Sequence, residues 1–458
     1  MYRRLCCFAV LLSLAAVCVA DEADSAKETL VKLTVSPAAA PRPALKFVLL
    51  PELKEMNPGN AIEDYLKCFM EQQKFFFDKE VVDRREALLT MPLDELPVKE
   101  LQDYGGSALK QADWAARLDQ ADWQILLKLR QDGISLLIPD VQQLRLLARA
   151  LKVRFRAEVS QRRYDDAVRT AQTMYGLSRH LGQHITFIGN LVGIAVATQA
   201  TDPVEELIAQ PDSPNLYWAL TYMPTPLVPI NVGAQGERMW LEPTFRQLDT
   251  TVPMSGAKLE QAVAFFNRVT EGDEYLTKEG SLYAWLENRV KDAATIKAAR
   301  RRLIESGYSE LLVAQFPAEQ VLLLDEKRAC EERHDEVIKL VNLPFWQAEE
   351  LANRVQEEGR IMFDLAPAIS KLLFAQARLD RRIALLRHVE AMRLYAAEHG
   401  KLPERLSDVS VPLPIDPLTG RPFSYERSGE TAHLRASPPK SHEDDPAFTH
   451  HYEITLRK

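Results

Sequence analysis

Glycine is scarce, at 18 of 458 residues, and only five cysteines occur. Few glycines alongside abundant Leu, Ala, Glu, Arg and Gln exclude a turn-rich all-β fold and favour long helices. Cys6, Cys7 and Cys18 lie within the first 20 residues, leaving Cys68 and Cys330 in the rest of the chain. No CxxC pair remains there, which rules out a zinc ribbon or thioredoxin-type site. Cys68 and Cys330 either pair or serve as two small buried apolar side chains. HExxH, GxSxG, GxxxxGK and GxGxxG are all absent, so the common zinc-protease, serine-hydrolase and nucleotide-binding signatures are missing. There is no basic excess either. Lys and Arg number 57 against 65 Asp and Glu, and a net acidic chain does not suit general nucleic-acid binding.

What is present suffices for a large core. Hydrophobic residues make up 46% and charged ones 27%, and the length corresponds to roughly three domains of about 150 residues. Residues 1–20 read as a signal peptide. Arg3 and Arg4 form a positive start, Phe8 to Val19 is apolar except for Ser13, and Ala20 precedes Asp21-Glu22-Ala23-Asp24. Cleavage after Ala20 delivers an exported chain to the periplasm or beyond. Two other readings are an acylated Cys18, which bulky Val17 disfavours, and an uncleaved anchor, for which the run is short. The next apolar stretch, Phe187 to Ala200, contains Asn190 and Gln199 and reads as a buried helix, so no membrane span is expected after cleavage.

The mature chain divides into an arm and linker over 21–43, a helical body over 44–365 and a C-terminal unit over 366–458. Leu30, Leu33 and Val35 mark a strand in the arm, and Lys46 to Leu50 suggests a second. Helical periodicity begins after Pro58-Gly59-Asn60, with Ile62, Tyr65, Leu66, Phe69 and Met70 on one face. Further helices are expected at 108–129, 140–161, 164–181, 185–200, 203–209, 255–270, 282–306, 317–341 and 345–359. Seven prolines between 211 and 255 forbid a long helix there, and Trp218 is expected to be buried in that crossover. Tyr164-Asp-Asp-Ala167-Val168, with Ala171 and Leu177, resembles half of a tetratricopeptide repeat, so the body is either TPR-like hairpins or ordinary amphipathic helices. The C-terminal unit reads as one long helix, 369–399, followed by strands near 423–425, 432–435 and 452–456 in a small antiparallel sheet. Asp416-Pro-Leu-Thr-Gly420 should be a structural turn in which Gly420 takes a positive φ. The fold class is therefore mainly α.

Few residues propose chemistry. Ser255-Gly-Ala-Lys258 has S-x-x-K spacing but no K-T-G companion, and Ser255 suits a helix N-cap. Glu331-Glu-Arg-His-Asp-Glu336 places Glu331 and Asp335 one turn apart, as an acid–base pair or a solvated face. Arg300-Arg301-Arg302 reads as a salt-bridged helix face. The best metal candidates are His442, Asp444, Asp445 and His450, which put imidazoles and carboxylates within ten residues. No cofactor is called for.

Two resemblances add context. Pro43-Ala-Leu-Lys-Phe47, Leu50-Pro51, Pro58-Gly-Asn-Ala61, Pro214-Asn-Leu-Tyr-Trp-Ala-Leu220, Pro224-Thr-Pro226-Leu227, Ala298 to Gly307, Pro317-Ala-Glu-Gln-Val321 and Leu343-Pro-Phe-Trp346 together resemble a family of exported helical proteins of planctomycete-type bacteria. That resemblance implies export and a helical build, and no activity. Tyr395, Gly400-Lys-Leu-Pro403, Leu406, Asp416-Pro417, Gly420, Pro422-Phe423 and Tyr425 resemble a pseudopilin head domain. This implies a long helix beneath a loop and sheet, and raises calcium binding near the loop. The prepilin-peptidase site and membrane helix that would lead into such a head are lacking. The functional expectation is a non-enzymatic interaction protein whose partner is a protein or envelope component. The other class is a hydrolase of envelope polymers using Asp and Glu residues that the sequence does not identify.

Overall fold

The computed structural model describes residues 29–457 apart from 134–135, 241, 271–281, 353–365 and 444–447. The leader, with its expected cleavage site, lies outside the described residues. The described residues open with β1 (Thr29–Val35), then β2 (Asn57–Asn60), α1 (Ala61–Glu71), α2 (Gln73–Phe77), α3 (Lys79–Thr90), α4 (Gly106–Ala115), β3 (Leu118–Gln120) and α5 (Leu126–Asp132). The central helices are α6 (Pro139–Ser160), α7 (Tyr164–Gly182) and α8 (Phe187–Ile208). The crossover holds only α9 (Tyr217–Thr221), α10 (Asn231–Trp240) and α11 (Glu242–Phe245). There follow α12 (Gly256–Thr270), α13 (Leu282–Arg289), α14 (Ala293–Glu305), α15 (Glu310–Gln315), α16 (Ala318–Ile338), α17 (Phe345–Ala352) and α18 (Ala366–His399). The chain closes with β4 (Ser424–Ser428), β5 (Thr431–Ala436) and β6 (His450–Leu456). The protein is mainly helical, and among the described residues no helix is long and apolar enough to cross a membrane.

Helices α6, α7 and α8 pack on one another and form the centre of the core. Pro139 starts α6 where a missing N–H costs nothing. On α7, Ala167, Val168, Ala171 and Leu177 are buried, as the spacing predicts. A Cβ on Gly193 of α8 would stand 2.9 Å from the Ser178 carbonyl, so α7 and α8 approach closely only because glycine is there.

Several expectations need correction. The helix expected over 108–129 is broken. Asp122 N–H donates to Asn60 Oδ1 at 3.0 Å and Gly59 N–H to Asp119 Oδ1 at 3.0 Å, and these short polar side chains hold 118–120 against β2 rather than in a helix. Residues 185–200 and 203–209 are one helix running through Pro203. The proline is tolerated because the turn around it is clamped: Lys152 and Arg382 hold Asp202, Arg382 holds Glu205, and Arg156 holds Glu206. Residues 282–306 form two helices, and the helix expected over 345–359 is described only to Ala352. Lys46 to Leu50 is bends, not a strand. Trp218 is half-buried. Its neighbour Tyr217 is the enclosed ring, its hydroxyl donating to the Pro412 carbonyl.

The C-terminal sheet has the order β1-β6-β5-β4. β4–β5 and β5–β6 are antiparallel, as expected, but β1 from the arm adds itself parallel to β6, with Leu33 opposite Ile454. The sheet is therefore mixed. Ala432, Leu434, Tyr452 and Ile454 turn one face inward and belong to the same core as Leu385, Leu386 and Val389 of α18. Phe423 meets His388 of α18 edge to face at 4.9 Å.

The 416–420 turn forms as the sequence predicts. Leu418 N–H donates to Asp416 Oδ1 at 2.9 Å, and Gly420 has φ +67°. A Cβ at Gly420 would lie 2.8 Å from the Trp346 indole of α17, so the ring seals the turn. Gly420→Val is expected to destabilise the C-terminal unit by more than about 1 kcal/mol through positive-φ strain and collision with that ring. Faster proteolysis within 400–458, with a lower unfolding midpoint, would be the sign.

Candidate functional site

Three arginines of α18 organise the buried polar groups of the protein. Adjacent helical residues point about 100° apart, so Arg381 and Arg382 serve two different neighbours. Arg381, fully enclosed, makes a bidentate pair with Asp416, Nε to Oδ1 and Nη2 to Oδ2, both at 2.8 Å. Its remaining N–H groups donate to the carbonyls of Phe448 at 2.9 Å and Ser437 at 2.7 Å. Burial lowers the Arg381 pKa, and Asp416 offsets part of that. At the turn where the pseudopilin likeness raised calcium binding, the Asp416 carboxylate thus meets a guanidinium.

Arg382 faces α8. It grips Glu205 through two bonds of 2.7 Å and also donates to Asp202, while Lys152 of α6 donates to Asp202 and Tyr452 of β6 donates to Glu205. Burial alone would lower the Arg382 pKa; the two carboxylates overcome it and raise the value. Burial likewise pushes Asp202 up, but Arg382 and Lys152 win and hold it below its usual value. Three turns on, enclosed Arg393 donates to Glu390 at 2.7 Å, to the Ser213 carbonyl and hydroxyl at 2.8 Å each, and to the Ser36 carbonyl at 2.9 Å. One guanidinium thereby joins the arm, the crossover and the long helix.

A second polar cluster lies at the α7–α8 turn. The Tyr65 hydroxyl and His180 Nδ1 are 3.1 Å apart, and Trp123 meets His184 edge to face at 4.6 Å. Thr186 N–H donates to His184 Nδ1 at 3.2 Å, which places the ring proton on Nε2. Asn190 donates to the Gly182 and His184 carbonyls at 3.1 Å each. Glu237 of α10 accepts the Phe187 N–H at 2.8 Å. Burial drives His180 down to about 4 and His184 to about 3, and pushes Glu237 up to about 8. All three groups are therefore neutral around pH 7. Enclosed and hydrogen-bonded, they hold the turn together.

The remaining candidates fall into place singly. Glu331, Glu332, Asp335 and Glu336 pair with Lys327, Arg328, Arg238 and Lys339 on the surface of α16. Arg301 and Arg302 pair with Glu305 and Asp325. Ser255 accepts the Lys258 N–H at 3.4 Å as a cap. Cys68 and Cys330 are free and buried. Cys330 Sγ lies 4.0 Å from His334 Nε2, yet burial raises the thiol to about 12 and lowers the imidazole to about 4, so this is a neutral pair and not an activated nucleophile.

Of the four expected metal ligands, only His442 and His450 can be placed. Asp444 and Asp445 lie outside the described residues. His442 stacks on Phe448 at 3.9 Å. His450 is buried and driven down to about 3, first by burial and then by Arg378, Arg381 and Arg382, a setting hostile to a cation. Among the described residues no three His, Cys, Asp or Glu side chains are spaced to hold a metal ion. Sequence reading missed these arginines, because Arg381, Arg382 and Arg393 look like the solvated side of an amphipathic helix.

Two outcomes test this account. Arg382→Met leaves Glu205 buried without its bidentate partner and is expected to cost about 3–5 kcal/mol in urea unfolding. Glu237 binds its proton more tightly folded than unfolded, so its stabilisation is full below about pH 4.5 and fades as pH rises to about 8. Glu237→Gln keeps the acceptor for Phe187 and should flatten that part of the melting temperature versus pH curve; an unchanged slope would refute it. No protein-family profile, curated protein or solved structure matches this chain.

Proposed function

We propose that this is an exported, non-enzymatic binding protein whose partner is a protein or a component of the cell envelope. The observation that carries the reading is how the buried acids and bases are used. Arg381 with Asp416, Arg382 with Glu205, and Arg393 with Glu390 are donor–acceptor sets that tie elements together. Catalysis needs an acid or base within hydrogen-bond reach of a substrate, and these groups are spent on shape. Packed helical hairpins offer extended surfaces for a partner without a chemical site. The outside of the body carries large apolar side chains suited to such contacts, among them Leu53 (89% exposed), Met70 (75%) and Trp114 (48%). Export rests on the leader, and a pseudopilin-like C-terminal unit on the long α18 followed by the β4–β6 meander.

The test incubates the mature protein with isolated envelope fractions and with purified envelope polymers. Saturable co-sedimentation with the polymers left intact is the expected result. Release of soluble fragments at a rate proportional to protein concentration would overturn the reading in favour of a hydrolase.

A further inference from the structure

The two edges of the C-terminal sheet are finished differently. At one edge β4 is tied down: the Tyr425 hydroxyl donates to the Pro403 carbonyl at 2.6 Å, and Arg427 donates to the Leu402 carbonyl at 2.8 Å and to Glu404 at 2.6 Å. At the other edge lies β1, whose neighbour in the sheet is β6 alone. In a parallel ladder alternate residues turn their backbone groups toward the neighbouring strand. Thr29 N–H donates to the Thr449 carbonyl at 3.1 Å, and Arg457 N–H donates to the Val35 carbonyl at 2.8 Å. Thr29, Val31, Leu33 and Val35 therefore bond to β6, while Leu30, Lys32 and Thr34 turn their N–H and C=O groups to the open edge. Among the described residues nothing bonds to those groups. The side chains are exposed as well. Leu30 is 46% exposed, and the Lys32 ammonium lies 3.4 Å from Glu453 with its side chain 67% exposed.

We propose that this edge docks a second copy of the chain: β1 of each copy pairs antiparallel about a two-fold axis, joining two four-stranded sheets into one. An open strand edge is a template for pairing with another chain, and a two-fold contact presents the same patch twice. Backbone direction restricts the register, because only the set that includes Leu30, Lys32 and Thr34 can bond across the axis. Placing Lys32 against itself is unfavourable, since like charges directly opposite one another repel. Placing Leu30 on the axis avoids this. Each Leu30 N–H then donates to the Leu30 carbonyl of the other copy, and the two exposed leucines cover one another. Lys32 stands across from the partner's Glu28, which the sequence sets two residues before Leu30. The run Glu28-Thr-Leu30-Val-Lys32 is thus self-complementary when read antiparallel, with acid opposite base on both sides of a leucine pair. An edge lysine resists indiscriminate pairing, and a second copy supplies the carboxylate that satisfies it. The weak, exposed contact of Lys32 with Glu453 does not compete strongly.

Sedimentation velocity on the mature chain should show a monomer–dimer equilibrium that moves toward the dimer as concentration rises. Leu30→Pro deletes an N–H that faces solvent in the single chain, which an edge strand tolerates, but it removes the hydrogen bonds at the axis. This variant should lose the dimer while its circular dichroism and urea midpoint match those of the parent. Glu28→Lys touches no contact within one copy and sets two like-charged pairs across the axis. It should weaken association by roughly 2–30-fold, the effect of two altered cross-strand pairs. The proposal is overturned if the parent chain sediments as a single molecule at high micromolar concentration, even where its edge takes up a peptide from another protein. It is equally overturned if folded L30P or E28K dimerises as the parent does.

Discussion

The pairing of Arg382 on α18 with Glu205 and Asp202 on α8 sets the terms for the rest of the molecule. Charges enclosed by protein are costly unless their partners are close and their hydrogen bonds complete, and here two carboxylates, a guanidinium, the Lys152 ammonium and the Tyr452 hydroxyl satisfy one another. The set spans α6, α8, α18 and β6. These four elements can be separated only by exposing unpaired charge to a dry interface. The same contacts straddle Pro203 and hold the turn that its missing N–H weakens.

Arg381 and Arg393 extend this logic in two directions. Arg381 links α18 to the Asp416 turn and to the backbone before β6, and the Trp346 ring closes over Gly420 beside it. Arg393 reaches Ser36 in the arm and Ser213 in the crossover. Since β1 lies against β6, residues 29–35 and 450–456 belong to one sheet. The long helix is thus a spine whose arginines attach the remaining parts.

The same economy governs several groups whose titration is perturbed. Burial neutralises His180, His184 and Glu237 and raises the Cys330 thiol, but each sits in a packed contact that burial itself accounts for. His180, His184 and Glu237 gather where α7, α8 and α10 meet.

Much of the architecture was legible from residue order alone. Periodicity placed α6, α7, α16 and α18, because each presents an apolar stripe long enough to outweigh local alternatives. Proline density excluded a long helix from 211 to 255, and the Asp416–Gly420 turn followed from the torsions that Pro417 and Gly420 permit. Other features needed the third dimension. Pro203 looked like a helix boundary because its clamping cations come from positions 152, 156 and 382. The 108–129 segment looked helical because Asn60, which redirects it, is remote in the chain. Leu30, Leu33 and Val35 announced a strand, but its parallel partner 421 residues onward is selected by which edge of the sheet lies open. Nothing in the local spacing singles out Arg381, Arg382 and Arg393, and the carboxylates that engage Arg381 and Arg382 are brought within reach only when α8, α18 and the C-terminal turn pack together.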